Sequence, residues 1–170
     1  MWKVGKTMAN KRLRKLLIVV NVIVAVCFFG GPMTSIAQDS DSMALEKLLS
    51  QSGYSYVKNS DTVWHIDYNG KSLPKYMLVI TKNDEVVVIF VTVARKDNMI
   101  LTSEAMQKLL QANFNYDKVK IGLDHDGDLS IRIDQSIRST DIQELKDNIN
   151  QVALAADELY AIISPYLSNK

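Results

Sequence analysis

The longest periodic pattern in the chain lies near its C-terminal end. Between Ser139 and Pro165 the apolar residues Ile142, Leu145, Ile149, Val152, Ala156, Leu159 and Ile163 recur at alternating steps of three and four, the spacing of a long helix with one apolar stripe. Thr140 followed three residues later by Gln143 reads as a capping box, and Asp141 and Glu144 place negative charge at the positive end of the helix dipole. Pro165 disfavours helical geometry in Ser164 and marks the end. The same repeat fits a coiled-coil seam, but it spans only about three heptads and follows strands that need a cover, so it is read as core.

Upstream, Met43, Ala44, Leu45, Leu48 and Leu49 share one side of a short helix that begins after Asp41 and Ser42, follows a polar lead over 38–42, and is ended by Gly53. Strands are expected over 54–57 and 62–68, where Trp64, Ile66 and Tyr68 alternate with Val63, His65 and Asp67, and Asn69-Gly70 marks a turn. Tyr76 to Thr81 and Val86 to Ala94 form a hairpin with Asn83-Asp84 at its tip. With that tip, Ile80 pairs with Val87, Leu78 with Ile89 and Tyr76 with Val91 on one face, and Val79 with Val88 and Met77 with Phe90 on the other. The first face is the heavier in aliphatic residues and is assigned to the core. The second, bounded by Thr81 and Thr92, is apolar too, whereas a sheet with helices on one side should alternate.

Leu101 before a Thr102 N-cap, with Met106 in the helix, fits a hydrophobic staple, and Met106, Leu109 and Leu110 supply a stripe that stops near Asn113. Val119, Ile121 and Leu123, then Leu129, Ile131 and Ile133, each alternate with polar or small residues, as in a hairpin with one wet face. The expectation is an α+β domain in which an antiparallel sheet of five to six strands packs with three helices, in the order α-β-β-β-β-α-β-β-α. No internal repeat or low-complexity linker interrupts it.

The first 37 residues differ in kind. Lys11, Arg12, Arg14 and Lys15 are basic, Leu16 to Phe29 are apolar apart from Asn21, and Ser35-Ile36-Ala37 has the small-x-small pattern that a signal peptidase reads. The segment 1–37 is therefore expected to be a signal peptide, cut between Ala37 and Gln38, with 38–170 a single exported domain, periplasmic or secreted from a bacterium. An uncleaved anchor, the chain's one route to a membrane, is the competing assignment, but the apolar run is shorter than the roughly 18 to 20 residues a bilayer needs. Met8 would serve as a start as well as Met1. Cys27, the only cysteine, lies inside the run; branched Val26 before it and Phe28-Phe29 after it argue against a lipid-modified cysteine. The exported chain then has no disulfide and no thiolate ligand.

The segment also distorts the charge. Six of the 20 basic residues lie in the first 37, which hold no Asp or Glu, leaving 14 basic against 19 acidic residues and a net of −5 in place of +1. Such a domain lacks the basic footprint of a nucleic-acid binder. Asp124-His125-Asp126-Gly127-Asp128 suggests a calcium loop, yet an EF-hand needs Gly at its sixth position and Glu at its twelfth; here Gly127 is fourth and Gln135 twelfth. A hairpin turn explains the run. His65 and His125 are the only histidines, and His65-x-Asp67 lacks a third ligand at readable spacing. There is no phosphate-binding Gly-rich loop and no Gly-x-Ser-x-Gly elbow. No residue is assigned to catalysis, to a metal or to a cofactor. A small hydrolase or metal-binding protein using His65, Asp67 and the Asp124 to Asp128 loop is the alternative to a non-enzymatic protein.

The element order, with Leu109-Leu110-Gln-Ala-Asn113-Phe114, Gly122-Leu123-Asp124-x-Asp126-Gly127-Asp128-Leu129 and Ala155-Ala156-Asp157-Glu158-Leu159-Tyr160, resembles the YbjN-like family, whose fold is that of type III secretion chaperones. The resemblance covers roughly Ala44 to Pro165. It implies a non-enzymatic α+β domain, often dimeric, that binds extended segments of other proteins on apolar sheet and helix surfaces. Secretion chaperones work in the cytoplasm, whereas this chain carries an export signal. Met77, Val79, Val88 and Phe90 are accordingly the candidate contact surface, for a second copy or for an extended partner segment.

Intact-mass measurement on protein recovered outside the cytoplasm should give a chain beginning at Gln38. A mass that retains residues 16–37 would identify an anchor instead.

Overall fold

A computed structural model describes residues 35–168, with side chains from Ala44 onward. The apolar run Leu16 to Phe29 and Cys27 lie outside the described residues. The order is α1 (Ser35–Ser52), β1 (Val57–Ser60), β2 (Val63–Tyr68), β3 (Tyr76–Asn83), β4 (Val86–Ala94), α2 (Ser103–Asn115), β5 (Lys120–Leu123), β6 (Leu129–Ser136) and α3 (Ile142–Ile163), with single 3-10 turns before α2 and on either side of α3. This is the expected α+β arrangement. The six strands form one antiparallel sheet in the order β1-β2-β3-β4-β6-β5. Among the described residues no helix is long and apolar enough to cross a membrane.

One face of the sheet carries the core. Trp64, Ile66, Leu78, Ile80, Val87, Ile89, Val91, Ile131 and Ile133 are buried against Leu45 and Leu49 of α1, Leu109 of α2, and Leu145, Ile149, Val152, Ala156, Leu159 and Ile163 of α3. The stripe expected on α3 is thus the packed face, with Ile142 at its half-buried end. Asn148, Ala153 and Ala155 are buried as well, because a helix laid on a broad sheet buries more of its circumference than a two-helix seam does. Asn148 donates from Nδ2 to Gln135 Oε1 on β6, while Asn148 Oδ1 and Gln135 Nε2 lack partners.

Several boundaries depart from the sequence reading for local reasons. The N-cap of α3 is Asp141, which accepts from the Glu144 N–H at 2.8 Å; Thr140 is diverted to the Ser136 carbonyl, closing the preceding 3-10 turn. Ser164 keeps a right-handed helical backbone despite Pro165, which fits the first positions of the final 3-10 turn. Helix α1 starts at Ser35, so 38–42 is helix and not a lead, and the Ala37–Gln38 bond falls in its first turns; Ala and Gln are good helix formers that carry the helix upstream of Asp41. The first strand is Val57–Ser60, not 54–57, and pairs with β2 through a tight turn, while Tyr54 and Tyr56 pack partly into the core. Helix α2 runs past Asn113 to Asn115, because the Asn113 side chain is engaged by the Ile121 N–H of β5 at 2.9 Å. Leu123, at the end of edge strand β5, is exposed.

Truncating Ile149 to Ala should cost about 2 to 5 kcal/mol, the usual range for a buried aliphatic, against under about 0.5 kcal/mol for Lys146→Ala on the flank. Urea melts of both variants decide it, and equal small losses would mean that α3 does not carry the core.

Candidate functional site

The face of the sheet opposite the helices has no cover among the described residues. The hairpin of β3 and β4 explains why it is apolar. Its pairs are Val79 with Phe90, Ile80 with Ile89, Thr81 with Val88, Lys82 with Val87 and Asn83 with Val86, a shift of two residues from the pairs expected. The turn is Asp84-Glu85, with Asp84 at φ 49°, a left-handed conformation that aspartate tolerates. A slip of two preserves every face. Leu78, Ile80, Val87 and Ile89 therefore remain inside, and Val79, Val88 and Phe90 lie half-buried outside with Met77, which is 56% exposed.

Ladder pairings set these side chains in rows across the sheet. Val79 lies between His65 of β2 and Phe90 of β4, and Phe90 is followed by Arg132 of β6 and Lys120 of β5. In the next row Val63, Thr81, Val88 and Asp134 follow one another. On the side toward β5 the patch is bounded by an ion cluster in which Asp134 Oδ2 takes Lys120 Nζ at 2.8 Å and an Arg132 guanidinium nitrogen at 3.0 Å, with Asp134 Oδ1 buried and unpartnered. On the other side stand His65 and Asp67, 3.9 Å apart, with His65 Nδ1 at 3.0 Å from Asn59 Oδ1. An apolar strip between two polar margins can hold an extended chain that alternates apolar and polar side chains.

The groups of the alternative site are not brought together. His65 and Asp67 are on β2, and the Asp124 to Asp128 loop joins β5 to β6, with β3 and β4 in between. That loop is a turn held by itself: Asp124 Oδ1 accepts the N–H groups of Asp126 and Asp128 at 3.0 and 2.9 Å, and Gly127 has φ 84°. Asp128 Oδ1 accepts from the Lys96 N–H at 2.8 Å. Among the described residues no three His, Cys, Asp or Glu side chains are placed to share a metal ion.

A second apolar surface escapes the sequence reading. Met106 and Leu110, assigned to the buried stripe of α2, point outward with Phe114; Leu110 is 69% and Phe114 89% exposed. Leu109 of the expected stripe is buried, and Ala105 and Ala112 are buried in place of the other two, since small side chains let α2 approach its neighbours. The spacing of Met106, Leu110 and Phe114 at steps of four is the signal that marks this second stripe.

Next to the patch, loop 69–75 is fastened to α3. Asp157 accepts the N–H groups of Ser72 and Leu73, each at 2.7 Å, and a Cβ at Gly70 would collide with its Oδ1. The Leu73 N–H above all, then those of Ser72 and Lys71 and the Lys71 charge, hold the Asp157 carboxyl below its ordinary value against an opposing desolvation.

No protein-family model matches the sequence, and no curated protein does. Solved structures do match. A chain of the heterodimeric ExoU–SpcU complex from the type III secretion system of Pseudomonas aeruginosa aligns over 71% of this chain and 98% of its own, with TM-score 0.54 and 17% identity. YbjN from E. coli, whose proposed role is transcription regulation, aligns over 76% and 96%, with TM-score 0.53 and 16% identity. The chain has the fold of YbjN and of the type III secretion chaperones. The Yersinia pestis chaperone SycH, in complex with a stable fragment of YscM2, superposes less closely, at TM-score 0.48 and 16% identity over 70% of this chain and 98% of its own.

Asp157→Asn should loosen loop 69–75 and lower stability at neutral pH. Because the folded-state pKa is depressed, the carboxylate's contribution is complete above the unfolded value of about 3.9 and is lost as pH falls through the folded value. Urea midpoints of wild type and variant should therefore converge as pH falls below the folded value; a constant gap would show that charge is not what Asp157 supplies.

Proposed function

We propose that this protein is an exported, non-enzymatic module that binds an extended segment of another protein on the face carrying Met77, Val79, Val88 and Phe90, and that it works as a homodimer. The observation that carries the reading is the apolar, uncovered face of β3 and β4. Met77 is exposed and Val79, Val88 and Phe90 are half-buried, so each forgoes part of the about 1.5 to 3 kcal/mol that full burial of such a side chain supplies, and contiguous apolar patches on a surface mark contact sites. The fold shared with secretion chaperones supports it, since the ExoU–SpcU structure is itself a complex of two different proteins. Export rests on the basic, apolar and small-residue order of the first 37 residues, a feature of the sequence.

The dimer clause rests on α2. Gln107, Leu110, Gln111, Phe114 and Asn115 form a shallow, charge-free surface there, and a two-fold contact brings the same residues face to face. Amides suit that arrangement because each can donate to and accept from its symmetry mate, whereas like charges would repel.

Val88→Lys should abolish partner binding while circular dichroism stays native, because the neighbouring Asp134 on β6 offers the new ammonium a counter-ion. Phe114→Glu should convert a dimer to a monomer in light scattering without loss of helix signal. A monomeric wild type would remove the dimer clause; unfolding of Val88→Lys would mean the face is part of the core and would remove the binding clause.

A further inference from the structure

The sheet is parted at one end. The ladder between β3 and β4 runs from Asn83 and Val86 to Val79 and Phe90 and stops. Beyond that point β3 stays paired with β2 as far as Tyr76 and Tyr68, and β4 stays paired with β6 as far as Ala94 and Leu129. Both remain strands, each held from its far side, and no pair joins Tyr76–Leu78 to Val91–Ala94.

A cavity of about 460 Å³ fills the parting. Its walls come from both faces of the sheet and from the loops at this end. Met77, Val79, Phe90 and Thr92 reach it from the outer face, Tyr76 and Val93 from the core side, and Tyr160 of α3 lies beneath. The opening has causes on both sides. Tyr76 is drawn toward α3 by the bond from its hydroxyl to the Ala153 carbonyl at 3.0 Å and is stacked on Tyr68. Opposite, the register of β4 against β6 shifts by one residue between Thr92 and Ala94, the mark of a bulge, which bends its strand.

In an antiparallel ladder alternate residues aim their N–H and C=O groups at alternate neighbours, so both walls of the gap present backbone groups in strand geometry without ladder partners. Such an edge is a template for an added strand. The mouth is basic: Lys75 and Arg95 line it, neither forms an ion pair among the described side chains, and the one carboxylate there, Asp128, already accepts from the Lys96 N–H.

Resting on the protein-binding reading above, we propose that this gap takes a short extended segment of another polypeptide as an inserted strand, with an apolar side chain against Met77 and Phe90 and an acidic one toward Lys75 and Arg95. Since β3 and β4 are antiparallel, the segment runs antiparallel to one wall and parallel to the other. The unpaired length admits about three or four residues at roughly 3.3 Å each.

The test uses the full chain and randomised dodecapeptides displayed on phage, with the enriched sequence synthesised and its affinity read by fluorescence anisotropy. Acidic residues should flank an apolar one in that sequence. N-methylation of its central amides should weaken binding about tenfold, the effect of one or two lost hydrogen bonds, with methylation at its ends neutral. Bound peptide should slow amide exchange at Met77 and Thr92, and the double variant Lys75→Glu, Arg95→Glu should lose affinity. Binding that ignores N-methylation but is abolished by Val88→Lys would place the peptide on the outer face by side chains alone; strand insertion would fall and the protein-binding reading stand. If no enriched peptide binds, both fall.

Discussion

The packing of α3 on β4 and β6 is the contact on which the rest of the molecule depends. Leu145, Ile149, Val152, Ala156 and Leu159 are all buried in it, at about 1.5 to 3 kcal/mol for each large aliphatic removed from water. Helix α1 extends this layer and α2 joins it through alanines and one leucine. All the helices among the described residues are spent on one side of the sheet, and the strands are left to settle the other side themselves.

Four of the six strands do so largely in the ordinary way, with polar or charged residues outside apart from Val57 and Val63. The central hairpin does not. Val79, Val88 and Phe90 lie in the middle of the outer face, with the ions of Lys120, Arg132 and Asp134 toward one margin and His65 with Asp67 toward the other. The arrangement is asymmetric in charge and continuous in apolar area, and it ends at the parting between β3 and β4. Surface and gap are therefore parts of one feature, made where the sheet is held least tightly.

Element types were legible because their periods are strong: three and four for α3, two for β2 and β6. Core membership followed, since Ile149 and Leu159 have no polar alternative on their face. The register of the central hairpin was less legible because Lys82 and Asn83 look like turn residues, yet they extend β3 and move the turn to Asp84-Glu85. The orientation of α2 was misread for a different reason. Met106 and Leu110 are larger than Ala105 and Ala112, and a reading by hydrophobicity favours the larger side chains, whereas close approach of a helix favours the smaller ones. The parting of β3 from β4 has no sequence signal at all; it arises from contacts of Tyr76 with Ala153 and from a bulge in β4, both of which need the third dimension.

The buried amides of Asn148 and Gln135 have a consequence of another kind. A purely aliphatic stripe can slide along a sheet by a turn with small loss, because one branched side chain replaces another at nearly constant contact area. The amide pair cannot: each already leaves one polar atom unpartnered, and displacement by a turn would leave all of its buried donors and acceptors so, at about 1 to 3 kcal/mol apiece. The pair thus works as a peg that fixes α3 at one station over β6, and with it the position of Asp157, of the loop that Asp157 fastens, and of the wall that loop forms beside the gap.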